Sequence, residues 1–190
     1  MSGGRFPRLV AFDLDYTLWD LWIDTHVSGP LRRPEKAINK VLDRDGEVIS
    51  FYKDVPCILQ TLHQRGRVAD GEEEKTVIAA CSRTHAPDLA RRCLGLLLMP
   101  SLTKEATLQP AIELFDELEI YPGSKLKHFR ALHERTGIPY NEMLFFDDER
   151  RNIEVEKLGV TFVLVPSGVN QKSFQQGLSE WRRRRSEDDS

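Results

Sequence analysis

Asp13 and Asp15 lie two residues apart in Phe12-Asp13-Leu14-Asp15-Tyr16-Thr17, directly after the apolar run Leu9-Val10-Ala11-Phe12. Carboxylates leaving a strand at this spacing can turn into one crevice, where such groups act as nucleophiles, proton carriers or metal ligands. A D-x-D pair alone reads equally well as a solvated turn with carboxylate caps. Three further segments shift the balance. Ala79-Ala80-Cys81 runs into Ser82-Arg83-Thr84, which presents a hydroxyl and backbone N–H groups; alone, Ser82 is an ordinary helix cap. Tyr121-Pro122-Gly123-Ser124-Lys125 is a turn that hands one lysine to the start of a helix. Phe145-Phe146-Asp147-Asp148-Glu149 sets adjacent carboxylates directly behind apolar residues. Like charges packed together are unfavourable unless a cation compensates. Two carboxylate clusters, a hydroxyl and a lysine therefore point to a hard-metal and phosphate site.

Such residues meet only if one scaffold brings the segment ends together. In an open α/β sheet, ligands bind beyond the carboxyl ends of the strands. Leu9–Phe12, Thr76–Ala80, Met143–Phe146 and Val160–Val165 are short apolar runs without polar alternation, the pattern of parallel strands covered on both faces. Helical stretches separate them. Asp54 is expected to cap a helix carrying Ile58, Leu59 and Leu62 and ending near Gly66. Ser124 caps another, with Leu126, Phe129, Leu132 and Thr136 on one side and Gly137 at its end. Ile153 and Leu158 before Gly159 mark a short helix, and Phe174, Leu178 and Trp181 a C-terminal one. The fold class is α/β, a doubly wound parallel sheet. Asp45-Gly46 followed by Val48–Tyr52 predicts a β-hairpin flap.

The chain of 190 residues is expected to form one domain over residues 1–182, followed by a charged C-terminal tail over 183–190. Ser186–Ser190 reads as frayed, and Gly71–Lys75 as a solvated loop. Arg182–Arg185 fits the basic end of a helix, where cations complement the dipole, with a nuclear-localisation patch as the alternative. A formal net charge of −3 argues against a general nucleic-acid binder. Three cysteines without C-x-x-C spacing argue against a disulfide framework or a zinc site. No apolar stretch approaches the ~20 residues of a membrane span, and the start lacks a signal peptide's apolar run. The expectation is a soluble, cytoplasmic (or nuclear) monomer with neither nucleic-acid nor membrane partner.

The order D-x-D-x-T, Ser, Lys, D-D resembles the haloacid-dehalogenase-like (HAD) phosphohydrolase superfamily. Phe12–Trp19, Asp24-Thr25-His26-Val27, Ala80–Thr84, Ile120–Lys125 and Phe145–Glu149 are similar to its eukaryotic magnesium-dependent phosphatase family. The likeness runs from about Leu9 to about Val165, with Gly66–Thr76 and Thr84–Glu119 differing from the family pattern. The intervals after the first motif and between the second and third are too short for the separate cap domain many relatives insert, so a capless fold is expected. The resemblance implies magnesium as cofactor, Asp13 as the nucleophile that becomes an aspartyl-phosphate, and Asp15 as general acid and then base. It also implies that Asp13, the backbone carbonyl of Asp15 and Asp148 ligate the metal, with Asp147 acting through water or Lys125. Ser82, Arg83, Lys125 and the backbone N–H groups of Leu14 and Asp15 are implied phosphate contacts. Thr17 joins these substrate-binding positions and orients Asp15 by a hydrogen bond. The implied substrates are phosphotyrosine proteins and phosphorylated sugars, and Trp19, Trp22, Phe51 and Tyr52 either stack on them or form flap core.

Other readings fit less well. The five histidines show no H-E-x-x-H spacing; His63 and His128 read as helix-surface residues. No cysteine has an arginine six residues on, as a cysteine-dependent tyrosine phosphatase requires, and Cys81 reads as core. A dehalogenase needs neither Asp15 nor magnesium. A receiver-like signalling module carries its acidic pair before the phosphorylated aspartate, the reverse order. A non-catalytic phosphate- or magnesium-binding module is the remaining alternative.

Overall fold

The structure, a computed structural model, describes residues 5–65, 75–100 and 107–188. In chain order the elements are β1 (Leu9–Phe12), α1 (Ile23–His26), β2 (Val41–Leu42), β3 (Val48–Ile49), α2 (Val55–Arg65), β4 (Val77–Ser82), α3 (Pro87–Leu96) and β5 (Leu98–Pro100). β6 (Leu108–Pro110), β7 (Glu117–Ile120), α4 (Lys125–Thr136), β8 (Met143–Asp147), β9 (Thr161–Leu164) and α5 (Gln171–Asp188) follow, with a 3-10 helix over Arg150–Leu158.

The central sheet has five parallel strands in the order β7-β4-β1-β8-β9. Its apolar runs supply both faces. Val10, Phe12, Ile78, Ala80, Leu144 and Phe146 pack with residues of α2, α3 and α5. Leu9, Ala11, Ala79, Cys81 and Phe145 pack with Phe129 and Leu132 of α4. The chain leaves β1 toward β4 on one side and later returns to β8 on the other, which opens a crevice at the carboxyl ends of these strands. Register sets the height of what projects there. Phe12 lies opposite Ala80 and Phe146, so Asp13, Cys81 and Asp147 stand one residue higher in adjacent strands.

All four expected strands are present, β4 and β8 running a residue or two further into the site. β7 is an unforeseen fifth strand, and α3, β5 and β6 lie in the stretch after Thr84. Ser124 caps α4 by accepting from the Lys127 N–H at 3.2 Å, and Gly137 ends it in the left-handed region. Asp54 stands directly before α2 as expected, its carbonyl accepting from the Ile58 N–H at 3.0 Å, while its side chain accepts from the Gln171 N–H at 3.0 Å and so also holds the start of α5. The hairpin β2–β3 forms, but only two residues pair on each side, and Gly46 makes the turn at φ 94°. α5 continues through the arginine run to Asp188, so much of the expected tail is helical. Residues 71–74 of the expected loop lie outside the described residues. Among the described residues, no helix is long and apolar enough to cross a membrane.

Candidate active site

The strand ends and their loops enclose an open bowl of about 430 Å³. Asp13, Asp15, Ser82, Arg83, Lys125 and Asp148 all line it. At its foot Lys125, 1% exposed, places Nζ 2.6 Å from Asp13 Oδ1 and 3.2 Å from Asp147 Oδ2. The same ammonium donates to the Cys81 carbonyl. Burial disfavours its charge, yet Asp13 and Asp147 outweigh that and raise its pKa. Asp13 is itself pushed well above the usual carboxylate range, first by burial and then by Asp147, against the pull of Lys125.

Asp15 is held by one oxygen. Its Oδ1 accepts from the Trp19 indole at 2.7 Å and from the Ile23 N–H at 3.2 Å. Burial raises its pKa to about 6 although both hydrogen bonds act the other way. The expected partner, Thr17, is elsewhere. Fully buried, it accepts from the Asp148 N–H at 3.1 Å and does not line the bowl. It thus ties the β1 loop to the β8 loop, and its side chain makes no hydrogen bond to Asp15. The β1 loop turns sharply enough to place Tyr16 at φ 52°, an uncommon conformation for a bulky residue. Leu14 has its side chain in the core.

Asp13, Asp147 and Asp148 each offer a carboxylate oxygen, all within 4.8 Å of one another. A set of hard oxygen donors suits magnesium, which takes one or two carboxylates and keeps several waters. Asp148 is raised to about 6, by burial first and then by Asp147 and Glu149. Asp147 is the most constrained of the three. Asn152 Nδ2 donates to both its oxygens at 2.9 and 2.8 Å, and the Glu149 N–H donates at 2.7 Å. Asn152 Oδ1 in turn accepts from Arg83 at 3.3 Å. The Ser82 hydroxyl accepts from the Thr84 N–H at 3.3 Å, which leaves its proton for a ligand.

The wall above this floor comes from Trp22, Asp24 and Thr25 on and beside α1, and from His85, Pro122, Glu149 and Arg151. No residue of β2 or β3 lines it, so α1 occupies the place expected of the hairpin flap. Trp19 and Phe51 are core, stacked at 6.2 Å, whereas Trp22 is 47% exposed on the rim. His128, expected on a helix surface, is fully buried: its Nε2 meets the Tyr121 carbonyl at 3.1 Å and its ring packs edge-on against Tyr121. Asn152 as a site residue and Trp19 as a donor to Asp15 escape sequence reasoning, because each acts only through a contact made by the folded loops.

A doubly wound parallel sheet with carboxylates and a lysine at the ends of its central strands defines the HAD-like class of α/β hydrolase. A HAD-superfamily hydrolase from Ehrlichia chaffeensis shares the fold, with a TM-score of 0.60 at 12% identity, covering 94% of this chain and 99% of that one. The family model described as Acid Phosphatase matches residues 5–184, and the chain belongs to that family. A HAD-like hydrolase superfamily protein of Schizosaccharomyces pombe is 46% identical over 172 residues, 90% of this chain and 93% of that protein. Magnesium-dependent phosphatase 1 of Homo sapiens is 41% identical over 175 residues, 92% of this chain and 86% of that protein.

Proposed function

We propose that this protein is a magnesium-dependent phosphomonoesterase that transfers the phosphoryl group of its substrate to Asp13 and then to water. One observation carries the reading: a buried lysine joins Asp13 to Asp147 at the foot of an open bowl, with Asp148 completing a trio of oxygen donors. The human relative's name supplies the metal, and the donor set fits it. Asp13, Asp148 and the backbone carbonyl of Asp15 would hold the ion, with Asp147 steadied by Lys125 and Asn152. When bound, magnesium supplies positive charge for the phosphoryl oxygens.

The chain's own groups do the rest. Asp13 is anchored through Oδ1 by Lys125, which limits its rotation and favours in-line attack on phosphorus. The Ser82 hydroxyl, Arg83, Lys125 and the backbone N–H groups of Leu14 and Asp15 donate to the transferred oxygens, where fixed donors stabilise spreading charge. Asp15 protonates the leaving oxygen. Both donors on Asp15 take Oδ1, so Oδ2 is left to carry the proton. A pKa near 6 suits both this step and its reverse, in which Asp15 takes a proton from the water that attacks the aspartyl-phosphate. Among the described residues no separate cap stands above the bowl, which favours substrates whose phosphate protrudes: phosphotyrosine on a protein, or a phosphorylated sugar.

Hydrolysis of an aryl phosphate by wild type and Asp13→Asn, with magnesium and with chelator, tests the reading. Turnover that needs both Asp13 and the metal is the expected result. An active Asp13→Asn protein overturns the mechanism, and a folded wild type without turnover favours a binding module.

A further inference from the structure

We propose that Asp24 is a positioning residue whose carboxylate fastens α1 to the phosphate loop Ser82–His85 and so aims the Asp15 carboxyl at the leaving group. The inference rests on the acid role given to Asp15 above.

α1 is a single helical turn of four residues, preceded by Trp22, which provides no side-chain cap. One hydrogen-bonded turn does not sustain itself, because nucleation fixes several dihedrals for one bond. Its position must come from outside attachments. One is Ile23, whose side chain is fully buried. The other is Asp24, whose Oδ2 accepts from the His85 N–H at 3.0 Å, with the Thr84 side chain beside it helping to lower its pKa. Asp24 Oδ1 takes the Thr25 hydroxyl at 3.0 Å. Burial pushes the Asp24 carboxyl up, but these donors outweigh it and hold it below its ordinary value. The His85 ring, 3.6 Å away with its side chain 81% exposed, adds little in open solvent.

The link to chemistry is one residue away. The Ile23 N–H, the first amide of α1, is one of the two donors on Asp15 Oδ1. If α1 lifts, Asp15 keeps only the Trp19 indole and is free to swing about that single bond. Thr84 and His85 follow Ser82 and Arg83, so the attachment spans the two halves of the site: the loop that grips phosphate and the turn that sets the acid. A solvated rim carboxylate would require no such span and would leave Asp15 unaffected.

The test compares kcat/KM for phenyl phosphate, a poor leaving group, with that for 4-nitrophenyl phosphate, a good one, in the presence of magnesium. This parameter ends at the first irreversible step, transfer to Asp13, and so isolates leaving-group protonation. In Asp24→Ala, phenyl phosphate is expected to lose about tenfold more than 4-nitrophenyl phosphate, within the usual reach of general acid catalysis. Asp24→Asn keeps one oxygen to accept from the His85 N–H while removing the charge and the acceptor for Thr25, so it should restore most of the ratio. Thr84→Val removes the side chain that helps hold the Asp24 carboxyl low, together with the acceptor for the Ala86 N–H, and should move the ratio the same way; it carries the test if Asp24→Ala does not fold. Equal losses on both substrates, no loss on either, or an Asn variant as selective as Ala overturns the proposal. Asp15→Asn is the control. If it shows no leaving-group selectivity, the acid role itself fails, an outcome separate from failure of the attachment.

Discussion

Asn152 illustrates how much a site depends on residues that never touch substrate. Its amide nitrogen spans both oxygens of Asp147, and its carbonyl oxygen takes the Arg83 guanidinium. Replacing it with leucine keeps the branched shape, though not the size, and strips two hydrogen bonds from a fully buried carboxylate. Partners that orient metal ligands in this way commonly contribute 10–100-fold in affinity. Asn152→Leu is therefore expected to raise the magnesium concentration for half-maximal activity by about that factor, read by titrating the metal in an aryl phosphatase assay. His128 makes a different prediction. Burial first, then the nearby Lys125 ammonium, lowers its pKa from 6.5 to about 4. Between those values the unfolded chain binds a proton that the folded one refuses, so its contribution is intact above 6.5 and is lost as pH falls toward 4. The loss is on the order of 2 kcal/mol. His128→Gln keeps a donor for the Tyr121 carbonyl, and urea midpoints at pH 7 and pH 5 should show wild type losing more than the variant on acidification. Asp13, Asp15, Ser82, Lys125, Asp147 and Asp148 were legible from sequence because each follows an apolar run or a turn signal. Asn152, Trp19 and the true partner of Thr17 were not, since nothing in a linear pattern states where a loop hydroxyl or amide will point.

At the level of elements, legibility followed burial. β1, β4, β8 and β9 are read from sequence because helices cover both their faces and leave uninterrupted apolar runs. β7 carries Glu117 and Glu119, which pair with Arg135 of α4 at the sheet edge, so its Glu-Leu-Glu-Ile string lacks the uninterrupted apolar run of the other strands and is too short for its alternation to stand out. β5 and β6 are three-residue strands closing on Pro100 and Pro110, too short for any period to show. Two helical glycines show how packing overrides propensity. Glycine inside a helix usually lowers stability by about 0.5–1 kcal/mol relative to alanine. Gly95 of α3 has open space where a Cβ would be, so Gly95→Ala should raise stability by about that amount. Gly177 of α5 lies against the sheet, where an added Cβ would sit 2.7 Å from the Phe146 ring and 3.0 Å from Val163. Phe146 is a fully buried core residue with little room to yield. Gly177→Ala is expected to lower stability by roughly 1–3 kcal/mol, the usual range for overpacking. Thermal melts of the two variants beside wild type should therefore shift in opposite directions.

For the whole molecule, the site is a source of instability that the proposed metal would relieve. Three carboxylates converge within 4.8 Å while one ammonium, Lys125, is buried among them. The remaining negative charge matches a divalent cation in sign and size. Asp148 registers the imbalance: burial, then Asp147 and Glu149, raises it to about 6. A carboxyl whose folded pKa is raised weakens the fold when ionised, and that penalty fades as pH falls through the raised value. Magnesium that binds only the folded chain should stabilise it by about 1.4 kcal/mol for each tenfold excess over its dissociation constant. Thermal melting with chelator and with rising magnesium should show this in wild type at pH 7, and less of it at pH 5, where protons compete for Asp148. Asp148→Asn reverses both terms. Without metal it removes a repelling charge and should melt higher than wild type, whereas its response to magnesium should nearly vanish. The two melting curves are thus expected to cross as magnesium is added. A variant that melts below wild type in chelator would mean that Asp148 stabilises the fold by itself, and a variant that still responds fully would move the ion to other ligands.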